Sequence, residues 1–236
     1  TFPFPAALLL AGFTGGAFAL LIGWISLRFR GDFFVFATLG FQMIVFVVLY
    51  NWTDLSRGAF GIYCIPRPDI LGWRVNEPWE YVVVVAVVNA ILLPALFLLY
   101  RSPFGLSLKA LRDNERAAES LGISAFHQHL WAFVIAGSCA AVAGGLYASY
   151  VTYIDPTSFT VRESIFIVSL LLLGGSGNIR GPIIGALVMI LLPEALRFVG
   201  LPDSIAPNVR EIIYGLALIL LMYMRPTGLA GSFAVK

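Results

Sequence analysis

The sequence predicts an all-α, polytopic bundle of transmembrane helices, and three observations carry that prediction. Hydrophobic residues make up 59% of the 236 and charged residues only 12%, where a soluble domain ordinarily carries about 25% charge. Mean hydropathy is +0.89. The apolar residues also fall in continuous runs, several of them near the ~20 residues that a helix needs to cross a hydrocarbon core. A membrane β-barrel would instead alternate polar and apolar residues over strands of about ten.

Taken in order, residues 4–27, 33–50, 81–100 and 130–152 are long enough to span. Residues 1–27 contain no charged side chain, and the first positive charges follow the run. A secretory signal has the reverse order, so this segment reads as a retained span. The second run is interrupted by Thr38 and Gly40 near Gln42, and Asp32 is placed to pair with Arg28 and Arg30 at the membrane surface. The fourth run carries two rows of small residues at four-residue spacing, Ala136, Ala140, Gly144 and Gly137, Ala141, Gly145. Gly181 and Gly185 repeat the spacing, which lets helices approach closely. Three later segments are short or interrupted. Residues 164–173 stop at Gly174-Gly175, residues 182–199 contain Pro193, Glu194 and Arg197, and residues 212–224 are brief. About seven membrane segments are therefore expected in one transmembrane domain spanning 1–236, with some helices short or broken. Glu194 and Arg197 read either as a pair on one helix face or as an ion-coupling site.

Alternating segments place Arg28, Arg30, Arg101, Lys109, Arg112, Arg116, Arg180, Arg225 and Lys236 on one side, and Arg57, Arg67, Arg74, Arg162, Arg197 and Arg210 on the other. The first side has more Lys and Arg, clustered more tightly beside the spans, and is assigned to the cytoplasm. Tyr50, Trp52, Trp79, Tyr81, Tyr100, Trp131, Tyr150 and Tyr153 lie near predicted boundaries, where aromatic side chains form interfacial belts. Residues 51–80 then form an external loop and residues 101–129 a cytoplasmic one.

The cytoplasmic segment is the most informative. Ser102 can cap a helix that has Pro103 at its first position. Asp113-Asn114 offers a second start, and Gly122 a stop. Phe104, Leu108, Leu111, Ala118 and Leu121 recur at helical spacing among residues of both charges. One or two short amphipathic helices follow. Acidic residues among the basic ones weaken attraction to anionic lipid, so a protein partner explains the pattern better than a lipid surface.

Several functions are excluded by what the chain lacks. The net charge of +2 gives no basic field for nucleic acid. No phosphate-binding Gly-x-x-x-x-Gly-Lys-[Ser/Thr] loop occurs, and no nucleophile elbow or zinc motif. Cys64 and Cys139 form no framework, and His127 and His129 have no spaced ligand partners. The residues therefore indicate no catalytic site, metal or cofactor.

Arg101-Ser-Pro-Phe-Gly105 followed by Ala110-Leu-Arg-Asp-Asn-Glu-Arg-Ala-Ala-Glu-Ser-Leu-Gly-Ile123 resembles the coupling loop of permeases in the branched-chain amino acid ABC importer family. Leu27-Arg-Phe-Arg-Gly-Asp-Phe-Phe34 leading into Ala37-Thr-Leu-Gly-Phe41 resembles its LivM-type subunit, as do Asn51-Trp-Thr-Asp-Leu55, Gly61-Ile62 and Ile65-Pro66. Leu172-Leu-Gly-Gly-Ser-Gly-Asn178, Gly181-Pro182 and Arg225-Pro-Thr-Gly-Leu229 complete the order. The resemblance implies an inner (plasma) membrane permease working with a second, LivH-like permease, two ATP-binding cassette subunits and an external substrate-binding protein. It places Arg112, Asp113, Asn114, Glu115, Ala117, Ala118, Glu119 and Gly122 at the contact with the ATPase. It also implies N-terminal helices before the position of Phe4. Gln42-Met43 stands where LivM-type subunits commonly carry an acidic residue, and Ser56-Arg57-Gly58-Ala59 replaces a Thr-Gly-Gly-like turn, which leaves the solute open among branched-chain amino acids, urea and other polar or aromatic solutes.

Irregular backbone at membrane depth is tolerated where it faces protein or a water-filled cavity, and transporters use such breaks at their substrate sites. Thr38, Gly40 and Gln42 on one side and Gly174, Gly175, Ser176 and Asn178 on the other are the candidate lining of the route. The competing reading gives the glycines a packing role. A stand-alone secondary transporter would need intramembrane acids, which the four long runs lack. A membrane subunit of an electron-transport enzyme would need paired haem-ligating histidines or a buried Lys–Glu relay.

Overall fold

A computed structural model describes residues 3–70, 73–75, 77–175, 180–197 and 215–216. The chain forms two compact units, Thr1–Ser158 and Phe159–Lys236. In the first, α1 (Phe4–Ser26) and α2 (Asp32–Asn51) are followed by the short α3 (Thr53–Ser56), a 3₁₀ turn (Gly58–Phe60) and strands β1 (Ile62–Tyr63), β2 (Asp69–Ile70) and β3 (Trp73–Arg74). Then come α4 (Pro78–Arg101), α5 (Pro103–Asp113), α6 (Glu115–Ser120), α7 (Ala125–Val151) and β4 (Tyr153–Ile154). The second unit holds α8 (Val161–Gly174) and α9 (Arg180–Arg197). Among the described residues, five helical segments are long and apolar enough to cross a membrane, the fifth combining the turn from Pro156 with α8. This makes a polytopic all-α protein. The expected span at 212–224 lies outside the described residues, as do the side chains of Pro193, Glu194 and Arg197.

The core of the first unit is the contact between α1 and α7, and glycine makes it. A Cβ built on Gly15 would stand 2.2 Å from the Ala141 Cβ, one on Gly137 2.4 Å from the Ala19 Cβ, and one on Gly16 2.5 Å from the Ser138 Oγ. Gly23 faces Phe133 and Gly12 faces Val142 in the same way. Of the two small-residue rows on α7, Gly137, Ala141 and Gly145 meet α1, whereas Ala136 and Ala140 are exposed and Gly144 has nothing within 4 Å. The rows differ by one residue, a rotation of about 100°, so only one can face α1.

Helix α2 corrects an expectation. It runs unbroken through Thr38, Gly40 and Gln42, with no buried residue. The Thr38 hydroxyl donates to the Val35 carbonyl at 2.9 Å within the same turn, and a mid-helix glycine costs only about 1 kcal/mol. Neither is enough to stop a 20-residue helix. The Asp32 pairing also differs. Arg30 meets Glu115 of α6 at 3.8 Å, and Arg28 stacks over Trp24 at 5.0 Å, while Asp32 lies in the first turn of α2, where a carboxylate favours the helix dipole. Of the expected aromatic belt, Tyr81 is buried, while the other seven are exposed.

At the opposite end, β1 pairs antiparallel with β4, joining Ile62 to Ile154 and Tyr63 to Tyr153. Gly61 (φ 68°) runs so close to the Ile154 carbonyl that a Cβ would lie 2.5 Å from it. Ser56 donates to the carbonyls of Leu49 and Trp52, and the Gly58 N–H donates to its Oγ, which locks the corner after α2. Helix α4 crosses α7 at this end. There the Tyr81 hydroxyl donates to the Leu146 carbonyl beside Ser149, and its ring lies 4.9 Å from that of Tyr150.

In the second unit, α8 and α9 touch backbone to backbone. A Cβ on Gly174 would lie 2.0 Å from the Gly181 carbonyl oxygen, and one on Gly185 2.2 Å from that of Leu170. Gly175 (φ 98°) ends α8, its N–H donating to Leu171 at 2.9 Å.

Overpacking a close contact costs about 1–3 kcal/mol. Gly137→Ala is therefore expected to lower thermal stability in detergent, while Gly144→Ala leaves it unchanged; equal melting of the two variants refutes the assignment of faces. Gly185→Ala should destabilise more than Gly137→Ala, because its Cβ would meet the Leu170 carbonyl oxygen at 2.2 Å and the Gly174 Cα and N at 2.9 Å, where that of Gly137 meets one close atom, the Ala19 Cβ at 2.4 Å. A protease-protection assay on the second unit reads this directly.

Candidate functional site

The segment 101–129 folds as its local chemistry dictates. Ser102 accepts a bond from the Gly105 N–H at 3.4 Å and donates to Leu99 at 2.6 Å, and Pro103 opens α5. Gly105 is required by contact, since a Cβ there would lie 2.3 Å from the Tyr100 carbonyl oxygen. Asn114 caps α6 by accepting the Ala117 N–H at 3.1 Å. Gly122 (φ 85°) closes α6, with its own N–H on Glu119 and that of Ile123 on Ala118. The motif Arg-Ser-Pro-Phe-Gly is thus an elbow between a membrane helix and a surface helix. Arg101 lies over Phe97 at 4.2 Å and Lys109 over Tyr100 at 3.6 Å, so the cations stay at the aromatic end of the span.

These helices pack on the base of α7 through Leu111, Ala118 and Ala125, flanked by Ala110 and Ile123. The eight residues expected at the ATPase contact divide accordingly. Arg112, Asp113, Glu115, Ala117 and Glu119 are exposed on one surface. Arg112 pairs with Asp113 at 3.0 Å, and Glu115 with Arg30. Asn114 and Gly122 shape the turns. Ala118 is only 3% exposed and supports the surface from beneath. Leu121, expected in the apolar stripe, is instead 83% exposed. It is an apolar side chain offered outward beside mixed charge, a signal that helical periodicity hides because Leu121 lies at the fraying end of a six-residue helix.

For the route residues the structure gives separate surroundings. Thr38 and Gln42 are half-buried on α2, and Gly40 has nothing within 4 Å. Gly174 is buried against α9, so its lack of a side chain serves packing there. Gly175 ends the helix, and Ser176 and Asn178 lie outside the described residues. Sequence reading passed over Asn89, an exposed amide midway along α4 whose Nδ2 donates to Val85 at 2.9 Å. Among the described residues no cluster of His, Cys, Asp or Glu could hold a metal ion.

Comparison with known proteins addresses the family of the chain. The family model described as "Branched-chain amino acid transport system / permease component" matches residues 2–222. The high-affinity branched-chain amino acid transport system permease protein LivM of Salmonella typhimurium is 32% identical over 244 residues, covering 93% of this chain and 56% of that protein. The ribose import permease protein RbsC of Escherichia coli is 26% identical over 212 residues, 87% of this chain and 65% of its own length. The autoinducer 2 import system permease protein LsrC of Salmonella paratyphi B is 27% identical over 205 residues, 83% and 56% respectively. The chain thus spans little more than half the length of the LivM relative. No solved structure matches it. With the family model covering nearly the whole chain, this protein belongs to the branched-chain amino acid transport permease family.

Proposed function

We propose that the chain is the LivM-like permease subunit of an ATP-driven importer, forming a route for branched-chain or related amino acids delivered by an external binding protein. The observation that carries this reading is the helix pair α5–α6. It is fixed to the base of the membrane helices by its caps and its apolar underside, and it turns Arg112, Asp113, Glu115, Ala117, Glu119 and Leu121 outward. A surface of alternating charge around one apolar side chain suits a protein partner, here the ATP-binding cassette subunits. In the proposed cycle, closure of the ATPase dimer displaces α5–α6 and the membrane helices follow. A LivH-like second permease completes the complex; a probable LivH of Methanocaldococcus jannaschii is 29% identical over 150 residues. The bacterial-type inner membrane is the proposed location. We place Thr38, Gly40 and Gln42 and the break at Gly174, Gly175, Ser176 and Asn178 beside the route, with Gly174 also packing α9. A second reading of the solute rests on the ribose and autoinducer 2 relatives: the same scaffold would carry a polar solute selected by its own binding protein.

In vesicles holding the whole transporter, uptake should require ATP. Leu121→Asp is expected to reduce uptake at least tenfold while the permease pair still assembles. Asn114→Ala, which removes a cap of about 1 kcal/mol, should give a partial, few-fold loss. Uptake that proceeds without ATP, or a Leu121→Asp transporter with full activity, refutes this reading of α5–α6.

A further inference from the structure

At the outer end of the first unit, beside the contact of α4 with α7, lies a cavity of about 350 Å³ lined by Arg67, Val75, Glu77, Pro78, Tyr81, Ser149, Tyr150 and Val151. Two of these residues carry opposite charge, and both are placed by backbone chemistry. Arg67 stands between Pro66 and Pro68, and a residue before proline is held extended. The segment is tied at both sides: the Ile65 N–H donates to Thr152 at 3.2 Å, and the Val75 N–H to Pro68 at 3.1 Å. Glu77 is the N-cap of α4 in a reciprocal box with Glu80, whose carboxylate accepts the Glu77 N–H at 3.1 Å. The rest of the wall is valine, proline, tyrosine and Ser149, with the Tyr81 ring fixed by its bond to the Leu146 carbonyl.

Small-molecule sites are hollows of about 300–1,000 Å³, mostly apolar, with a few fixed polar groups that set orientation. One cation, one anion and an apolar wall in a hollow of this size match a zwitterion with a hydrocarbon side chain. We infer that this cavity is an outer binding site for a free α-amino acid, with Arg67 taking the carboxylate, Glu77 the ammonium, and Val75, Tyr150 and Val151 the side chain. The inference rests on the importer reading and adds to it: the permease has its own selective step on the external side, after release from the binding protein.

The test is equilibrium binding of radiolabelled L-leucine to the purified transporter without its binding protein, beside ATP-driven uptake in vesicles. The parent should bind leucine saturably, and neither 4-methylpentanoate, which lacks the amine, nor 3-methylbutylamine, which lacks the carboxylate, should compete well. Arg67→Gln should weaken binding and raise the KM of uptake at least tenfold, with Arg67→Lys restoring part of it. Glu77→Gln keeps a cap for α4 and should have a similar effect, so the inference can still fail if Arg67→Gln does not assemble. Leucine binding within twofold of the parent in these variants overturns the site while ATP-driven uptake leaves the importer reading standing. Variants that lose capture of the binding protein but still bind leucine also overturn it. Uptake independent of ATP would instead sink the importer reading, and leucine binding alone would then decide the site.

Discussion

The contact between α1 and α7 is the constraint on which the first unit depends. Lipid tails are as apolar as leucine, so two helices in a membrane gain little from hiding hydrocarbon from water; what holds them is close fit. Here the fit comes from missing side chains, Gly12, Gly15, Gly16 and Gly23 on one helix and Gly137 on the other. Both ends of the unit hang from this pair. At one end the turn after α1 brings Arg30 to Glu115, and the start of α7 carries Ala125 under Leu111 and Ala118. At the other end α7 runs into β4, which holds β1 and with it the external loop.

The two ends then use different chemistry for the same purpose. At the α5–α6 end, caps made by Ser102, Asn114 and Gly122 fix the direction of two short helices that would be marginal alone. At the β1–β4 end there is too little regular structure for that, and prolines, two-residue strands and the Ser56 hydroxyl hold the chain. Asp155 adds to this end: the hydroxyls of Thr157 and Ser158 donate to its carboxylate and hold the group below the usual aspartate range.

How much of this was legible in the sequence follows from how local each interaction is. The long spans, the caps and the end of α8 at Gly174-Gly175 depend on neighbouring residues, and they stood where the sequence put them. The continuity of α2 was misread because Thr38 and Gly40 weaken a helix without ending it, and a hydroxyl can be satisfied inside its own turn. The choice between the two small rows of α7 turns on a rotation of one residue, which periodicity alone cannot settle when both rows are small. The juxtaposition of Arg67 with Glu77, and the pairing of β1 with β4 some ninety residues later, are long-range facts with no local signature. The same limit kept Ala118 on the surface in the sequence reading: its burial depends on Leu111 and Ala125 arriving from other helices.

The elbow at Arg101–Gly105 decides how a push on α5–α6 would travel. Gly105 rides against the Tyr100 carbonyl so closely that no side chain could intervene, and Ser102 bonds both Leu99 behind it and Gly105 ahead. Such a joint has no slack, so α4 and α5 must move together. The other exit, from α6 through Gly122 into α7, is a single left-handed glycine followed by Ile123 and Ser124, which can absorb rotation. A displacement of the helix pair would therefore reach α4 through the elbow and α7 through the packing of Leu111 and Ala118 on Ala125, and α7 is in turn held by α1. The contact of α4 with α7, through Tyr81 and Val84 against Leu146, lies on the far side of the interior Pro94, a residue that removes a helix hydrogen bond and lets the helix bend. Tyr81 is also part of the wall of the Arg67–Glu77 cavity, so in the proposed cycle the angle between α4 and α7 and the shape of that hollow are linked.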